Sequence, residues 1–271
     1  HKWVEPIYGS KMPQNPATAS TAPYLDKQGI HRIQSISGTF LYYGRGCDPC
    51  ILPSLNEIAS EQAAPTTNTL ETTEMLMDYL HTYPNATLRY YASAMLLKIT
   101  ADAAYLVQPK ARSRAAVHYH LGWKNSERVN GALDVLCQTI KNVVSSAAEA
   151  ETGGIYIGGK HACPIRTALQ ELGHPQPRTG SPFETDNNTA QGILNSKMRR
   201  KLSKSFDMRY WWMKDRIAQG QFNLRWAPGK LNLADYFTKH HPPWHHRKMR
   251  YTYLQKLFSL QSILRQHARV C

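Results

Sequence analysis

No run of apolar residues in this 271-residue chain is long enough to cross a bilayer, and no secretory signal pattern is visible. A helical membrane protein is therefore not expected. Cysteine is scarce and scattered: five residues, Cys47, Cys50, Cys137, Cys163 and Cys271, an odd number without paired spacing. That argues against a disulfide scaffold and suits a reducing, intracellular setting. Cys47 and Cys50 form one C-x-x-C, but no second ligand pair follows at zinc-finger spacing. Acid is scarce as well. Against 33 Lys+Arg stand 19 Asp+Glu, giving a formal net charge of +14 and a pI near 9.6. This balance suits a polyanionic partner, nucleic acid first; the bland alternative is a solvated basic surface.

With so few acids, where they fall carries information. Residues 181–190 (SPFETDNNTA) read as a short strand through Phe183 that ends on Asp186, followed by Asn187-Asn188-Thr189 as the cap of a helix. A carboxylate at the carboxyl end of a strand, beside a helix start, sits where α/β folds place active sites. Three further acids take similar key positions: Asp102, Glu151 and Asp235.

Taken in order, residues 1–30 are rich in Pro, Thr, Ser and Gln and read as linker. Residues 31–90 form a small helical unit. Ile33, Ile36, Phe40 and Tyr43 recur at helical spacing, a second helix is expected over 52–60, and a third over 70–83 carries Leu76, Leu80 and Tyr83. The period then changes. Short strands are expected at 95–99 (ending near Asp102), 115–121 and 133–140, three in succession, as in an antiparallel meander. Glu151 opens a long helix whose stripe is Ile155, Ala162, Ile165, Leu169 and Leu172. Glu149, two positions back, falls on another face. A helix with Phe206, Tyr210, Met213 and Ile217 on one stripe follows Asp186. Phe222, Leu224 and Trp226 then alternate as a half-buried strand. Asn232 is placed to cap a helix with Asp235 in its first turn. The expected architecture is α/β, a mixed five-stranded sheet flanked by helices, spanning 91–241. Residues 242–271 read as a basic tail, with Tyr253, Leu257, Leu260 and Leu264 spaced for an amphipathic helix. His240, His241, His245 and His246 are expected to be loose tail residues without a metal.

Four carboxylates brought together repel one another unless cations neutralise them. An all-oxygen donor set suits Mg²⁺, with Mn²⁺ as the alternative. Two such ions, roughly 3.5–4 Å apart, activate a water and stabilise the leaving oxygen of a phosphodiester. In a basic chain this combination points to a nuclease. Singly, each acid also has an ordinary explanation: Asp102 in a turn, Glu151 and Asp235 as helix-dipole partners, Asp186 as a cap.

Residues 101–122 (ADAAYLVQPKARSRAAVHYHLG), 145–154 (SSAAEAETGG), 184–190 (ETDNNTA), 203–209 (SKSFDMR) and 232–239 (NLADYFTK), in this order, resemble the ribonuclease H domain of copia-type LTR retrotransposons. Upstream, residues 33–62 resemble the end of the same elements' reverse transcriptase, where the thumb and connection lie. The resemblance implies a ribonuclease H fold with Asp102, Glu151, Asp186 and Asp235 as catalytic and metal-binding acids. It implies cleavage of the RNA strand of an RNA–DNA hybrid, leaving 3′-hydroxyl and 5′-phosphate ends. It also makes the upstream polymerase part of the same polyprotein a partner, and the chain, which opens on His1, a piece of a longer product. Two departures stand out. Residues 227–234 (APGKLNLA) lack the histidine that many ribonucleases H carry before the last aspartate, and residues 1–90 lack the polymerase's Tyr-x-Asp-Asp.

Lys197, Arg199, Arg200, Lys201 and Lys204 are candidates for a rail along the hybrid's phosphates, and Lys110, Arg112 and Arg114 for a second backbone contact. A base-specific code is not expected, since a hybrid is read by groove shape, phosphates and 2′-hydroxyls. Of the adjacent Trp211 and Trp212, one should be core and one exposed. Asp207 reads as a first-turn dipole partner. The competing readings are a folded but catalytically idle nucleic-acid-binding relic and, less favoured, a transposase or integrase core.

Overall fold

The computed structural model describes residues 22–108, 110–124, 128–198 and 204–255, with side chains in the last segment from 207 onward. A mixed five-stranded sheet lies at its centre. Strands β1 (Leu96–Gln108), β2 (Arg112–Gly122) and β3 (Ala132–Ile140) form the expected antiparallel meander. Strands β4 (Ser181–Thr185) and β5 (Phe222–Trp226) join parallel on the other side of β1, giving the order β3-β2-β1-β4-β5. With its flanking helices this is the mixed five-stranded α/β architecture the sequence led us to expect.

Register decides which side chains meet. Asp102 lies opposite Ala116 and Thr100 opposite His118, and cross-strand partners share a face. The neighbouring Ile99, Ala101 and Val117 therefore turn to the other face. There helix α4 (Ala147–Glu171) covers them, in a core with Ile155, Ala162 and Phe183. Gly158 makes that approach possible: a Cβ there would stand 2.9 Å from Phe183 Cζ and 3.1 Å from Val117 Cγ1. Helices α5 (Asn188–Leu194) and α6 (Lys204–Ala218) pack beside it. The Asp102 face is closed by α7 (Asp235–Thr238) and α8 (Pro243–Tyr253), with Ala116, Val135, Phe237 and Tyr253 buried together. Because both faces are covered, β1 is buried almost throughout and shows no polar–apolar alternation. This is why only 95–99 looks strand-like in sequence, whereas the strand runs 13 residues and carries Asp102 in its interior.

The helical unit comprises α1 (Lys27–Gly46), α2 (Leu52–Glu61) and α3 (Thr67–Thr82), around Ile33, Ile51, Leu55, Ile58, Leu76 and Leu80. It is joined to the sheet unit by a buried polar cluster. Arg250 on α8 pairs with the fully buried Asp48 at 3.3 Å and donates to the Tyr79 hydroxyl at 2.9 Å. His246 contacts that same hydroxyl at 3.0 Å through Nε2, and the Tyr236 hydroxyl through Nδ1. Here the expectation of a loose tail is corrected. His241 stacks on Tyr236, and burial pushes the His246 imidazole down to about 4. His240 faces Glu57 at 3.2 Å. Isolated basic spacing could not show that α2, α3 and α7 supply partners for this stretch. Leu257, Leu260 and Leu264 lie outside the described residues.

Candidate active site

Three of the four predicted acids converge. One carboxylate oxygen from each of Asp102, Asp186 and Asp235 lies within 4.8 Å of the others. They arrive from three separate elements: the interior of β1, the residue after β4, and the first turn of α7. Asn187 makes the chain turn after Asp186, capping α5 by accepting from Ala190 N at 2.9 Å. Trp226 Nε1 holds the Asp186 carbonyl at 2.9 Å from the end of β5. Gly229 lets the following loop close over that carboxylate, since a Cβ there would meet Asp186 Oδ2 at 2.8 Å. Asn232 does not cap α7 directly. It accepts from Ala234 N at 2.9 Å and donates to Ala101 O at 3.1 Å, tying the last acidic segment to β1 beside Asp102.

The fourth acid, Glu151, borders this cluster from the second turn of α4. Its Oε2 is buried without a hydrogen-bond partner. Burial first, then the charges of Asp102 and Asp186, push its carboxyl up to about 9. Asp102 is pushed up to about 6, again by burial first, against the Thr238 hydroxyl that donates to it and with Asp235 and Asp186 raising it. Lys239, one helical turn beyond Asp235, is its ion-pair partner. Burial works against that ammonium, but Asp235, with Asp102 and Asp186 behind it, keeps its pKa above the ordinary lysine value. A cluster of this kind is frustrated without cations. Oxygen donors, mutual repulsion and an orphaned buried carboxylate oxygen are what a divalent, oxygen-seeking ion would relieve, so the donor set fits Mg²⁺ or Mn²⁺.

Glu149 is not turned away from the protein, as helix-face counting suggested; it is as buried as Glu151, at 5% exposed against 6%. Its carboxylate is engaged instead, accepting from Ser145 N at 2.8 Å and Ser145 Oγ at 2.7 Å, beside the Ser146 cap of α4. Thr238, Lys239 and Trp226 were missed. The first two were within reach of sequence reasoning, standing three and four residues after Asp235 on a helix.

The proposed nucleic-acid contacts divide. Lys110 is exposed in the β1–β2 turn, Arg112 is half-buried there and Lys197 is exposed after α5. Arg114 is withdrawn from any surface role: it is 1% exposed, with Nε and Nη2 within hydrogen-bond reach of the Gln108 side-chain amide across the hairpin. Arg199, Arg200 and Lys201 lie outside the described residues, as does the side chain of Lys204. Trp211 is 51% exposed, whereas Trp212 packs against the core, edge-on to Tyr156. Asp207 accepts from Trp211 Nε1 at 3.1 Å.

No protein-family model matches the sequence, and no curated protein does. Among solved structures the chain is similar to the N-terminal RNase H domain of a Mycobacterium tuberculosis protein solved as a maltose-binding-protein fusion. The two are 15% identical, with a TM-score of 0.37 over 52% of this chain and 89% of that one. LC11-RNase H1 in complex with an RNA/DNA hybrid is 14% identical, with a TM-score of 0.37 over 52% and 92%. RNase H1 of the archaeon Halobacterium salinarum NRC-1 is 13% identical, with a TM-score of 0.36 over 52% and 92%.

Proposed function

We propose that this protein is a metal-dependent endoribonuclease that hydrolyses the RNA strand of RNA–DNA hybrids, as the ribonuclease H part of a copia-type retroelement polyprotein. The observation that carries the reading is the convergence of three aspartates from β1, β4 and α7 within 4.8 Å, bordered by the orphaned Glu151 oxygen. Asp102, Asp186, Asp235 and Glu151 would hold two Mg²⁺ ions, which when bound supply an activated water and charge stabilisation at the phosphate.

The chain's own residues set the geometry. The Thr238 hydroxyl fixes one oxygen of Asp102. The indole of Trp226 holds the backbone beneath Asp186 and leaves its half-exposed ring at the rim. Lys110 and Arg112 offer cations to the phosphates of a duplex on the flank of β1. Water attacks phosphorus, the bond to the 3′ oxygen breaks, and that oxygen takes up a proton, giving a 3′-hydroxyl and a 5′-phosphate. In this reading the helical unit is the end of the upstream reverse transcriptase, and 91–241 is the nuclease module. No helix among the described residues is long and apolar enough to cross a membrane.

The test is cleavage of a labelled RNA–DNA hybrid with Mg²⁺, beside duplex DNA and single-stranded RNA, with Asp186→Asn as control. Cleavage of the RNA strand alone, lost in the variant, is expected. A folded protein that binds the hybrid but leaves it whole would favour the idle relic.

A further inference from the structure

At the other end of the parallel strands lies a cleft of ≈ 590 Å³ that the proposed hydrolysis does not use. Its walls are the second half of α4, the end of α6 and the turns that lead into β4 and β5. Three arginines line it, Arg166, Arg178 and Arg216, with glutamines between them and no carboxylate in the wall. Gly220, at φ +69°, closes one side, and a Cβ there would stand 2.6 Å from the Arg178 carbonyl oxygen.

These guanidiniums are under-neutralised. Arg166 is 8% exposed and donates to the Ser181 hydroxyl, and among the described residues no carboxylate pairs with it or with Arg178. Arg216 donates to Gln219 Oε1 at 3.0 Å and pairs with the exposed Asp215 at 3.4 Å, while its Nε is buried without a partner. The C-terminal ends of α4 and α6 point here and help to seat the arginines, but each contributes roughly half a negative charge, against three full positive ones. Burying a cation is costly unless something pairs with it, which bears on Arg166; Arg178 is exposed and Arg216 half-buried.

We infer that this cleft is a second anion site, built for a phosphate group. Planar guanidiniums offer forked donors that match phosphate oxygens two at a time. It is not the site of the scissile phosphate. Asp186 follows β4 at its opposite end, and the five residues of that strand put roughly 16 Å between the two ends. The inference does not rest on the nuclease reading.

The test is isothermal titration of the full chain in EDTA with two probes, inorganic pyrophosphate and single-stranded hexathymidylate. Arg178→Gln and Arg216→Gln, both away from the core, should bind about tenfold more weakly with unchanged circular dichroism and melting. Arg216→Lys should lose part of the affinity, because it keeps the charge and loses the fork. A loss confined to pyrophosphate assigns the cleft to a small phosphorylated ligand; a loss with both probes assigns it to a nucleic-acid backbone. Wild-type affinity in both glutamine variants, or no binding of either probe by the wild type, would overturn the site.

Discussion

Replacing Arg250 with methionine should destabilise the protein far more than the loss of one hydrogen bond. Arg250 neutralises Asp48, which is fully buried and otherwise held by Cys50, through its amide at 3.0 Å and its thiol. Methionine roughly keeps the apolar stem while stranding the carboxylate. Removing one partner of a buried pair costs about 3–5 kcal/mol. For a chain of this size that lowers the melting temperature by roughly 10 °C. The double variant Asp48→Asn/Arg250→Met removes the stranded charge and should recover about 2 kcal/mol of the loss. The pH dependence gives a sharper test. Burial raises the Asp48 pKa and Arg250 opposes the rise, so the single variant pushes that carboxyl further up. A group whose folded pKa lies above its unfolded value binds protons more tightly when folded, so stability falls as pH rises through the window between the two. The deficit of Arg250→Met relative to wild type should therefore be larger at pH 8 than at pH 5, as measured by urea denaturation. An equal deficit at both, or a double variant worse than the single, would refute the stranded-charge account.

Three further outcomes are expected. With metal removed, stability should decline between about pH 4 and pH 9, because Asp102 and Glu151 are raised to about 6 and about 9; adding Mg²⁺ should reverse the decline, read by thermal melts across pH. Glu149→Gln should cost about 1 kcal/mol through its cap and keep most cleavage, whereas Glu151→Gln should abolish cleavage while folding at least as stably, and the reverse pattern in a hybrid assay would exchange their roles. Thr238→Val, close in shape, should fold and lower cleavage about 10- to 100-fold by releasing Asp102; wild-type rates would remove that hydroxyl from the site.

What the sequence made legible depended on whether a partner was local. The cap at Asn187, the stripe of Leu76 and Leu80, and the alternation of Phe222 and Leu224 are short-range patterns, and the structure has each. Trp226 breaks the last one: it follows the alternation yet stands 50% exposed, because β5 runs out beside Asp186 and its indole is used there. Arg114 could not be told from a surface cation, since Gln108, which it meets, lies across a hairpin whose turn contains left-handed Lys110 and Ala111. Choosing Glu151 over Glu149 rested on helix faces, but what separates them is that Ser145 already occupies Glu149.

Helix α7 brings these threads together. It is only four residues long, too short to be stable by its own hydrogen bonds. Tertiary contacts must therefore position Asp235. On one side Thr238 binds Asp102, and Asn232, just upstream, ties the chain to β1. On the other, Phe237 packs on Tyr253, while Tyr236 reaches His246, which contacts Tyr79 of α3. Asp235 is thus held between the sheet and the helical unit, and the buried Asp48–Arg250 pair lies in the same cluster. A disturbance at Asp48, with Asp102, Glu151, Asp186 and Asp235 all left in place, has a continuous path of packed groups to the placement of the last aspartate.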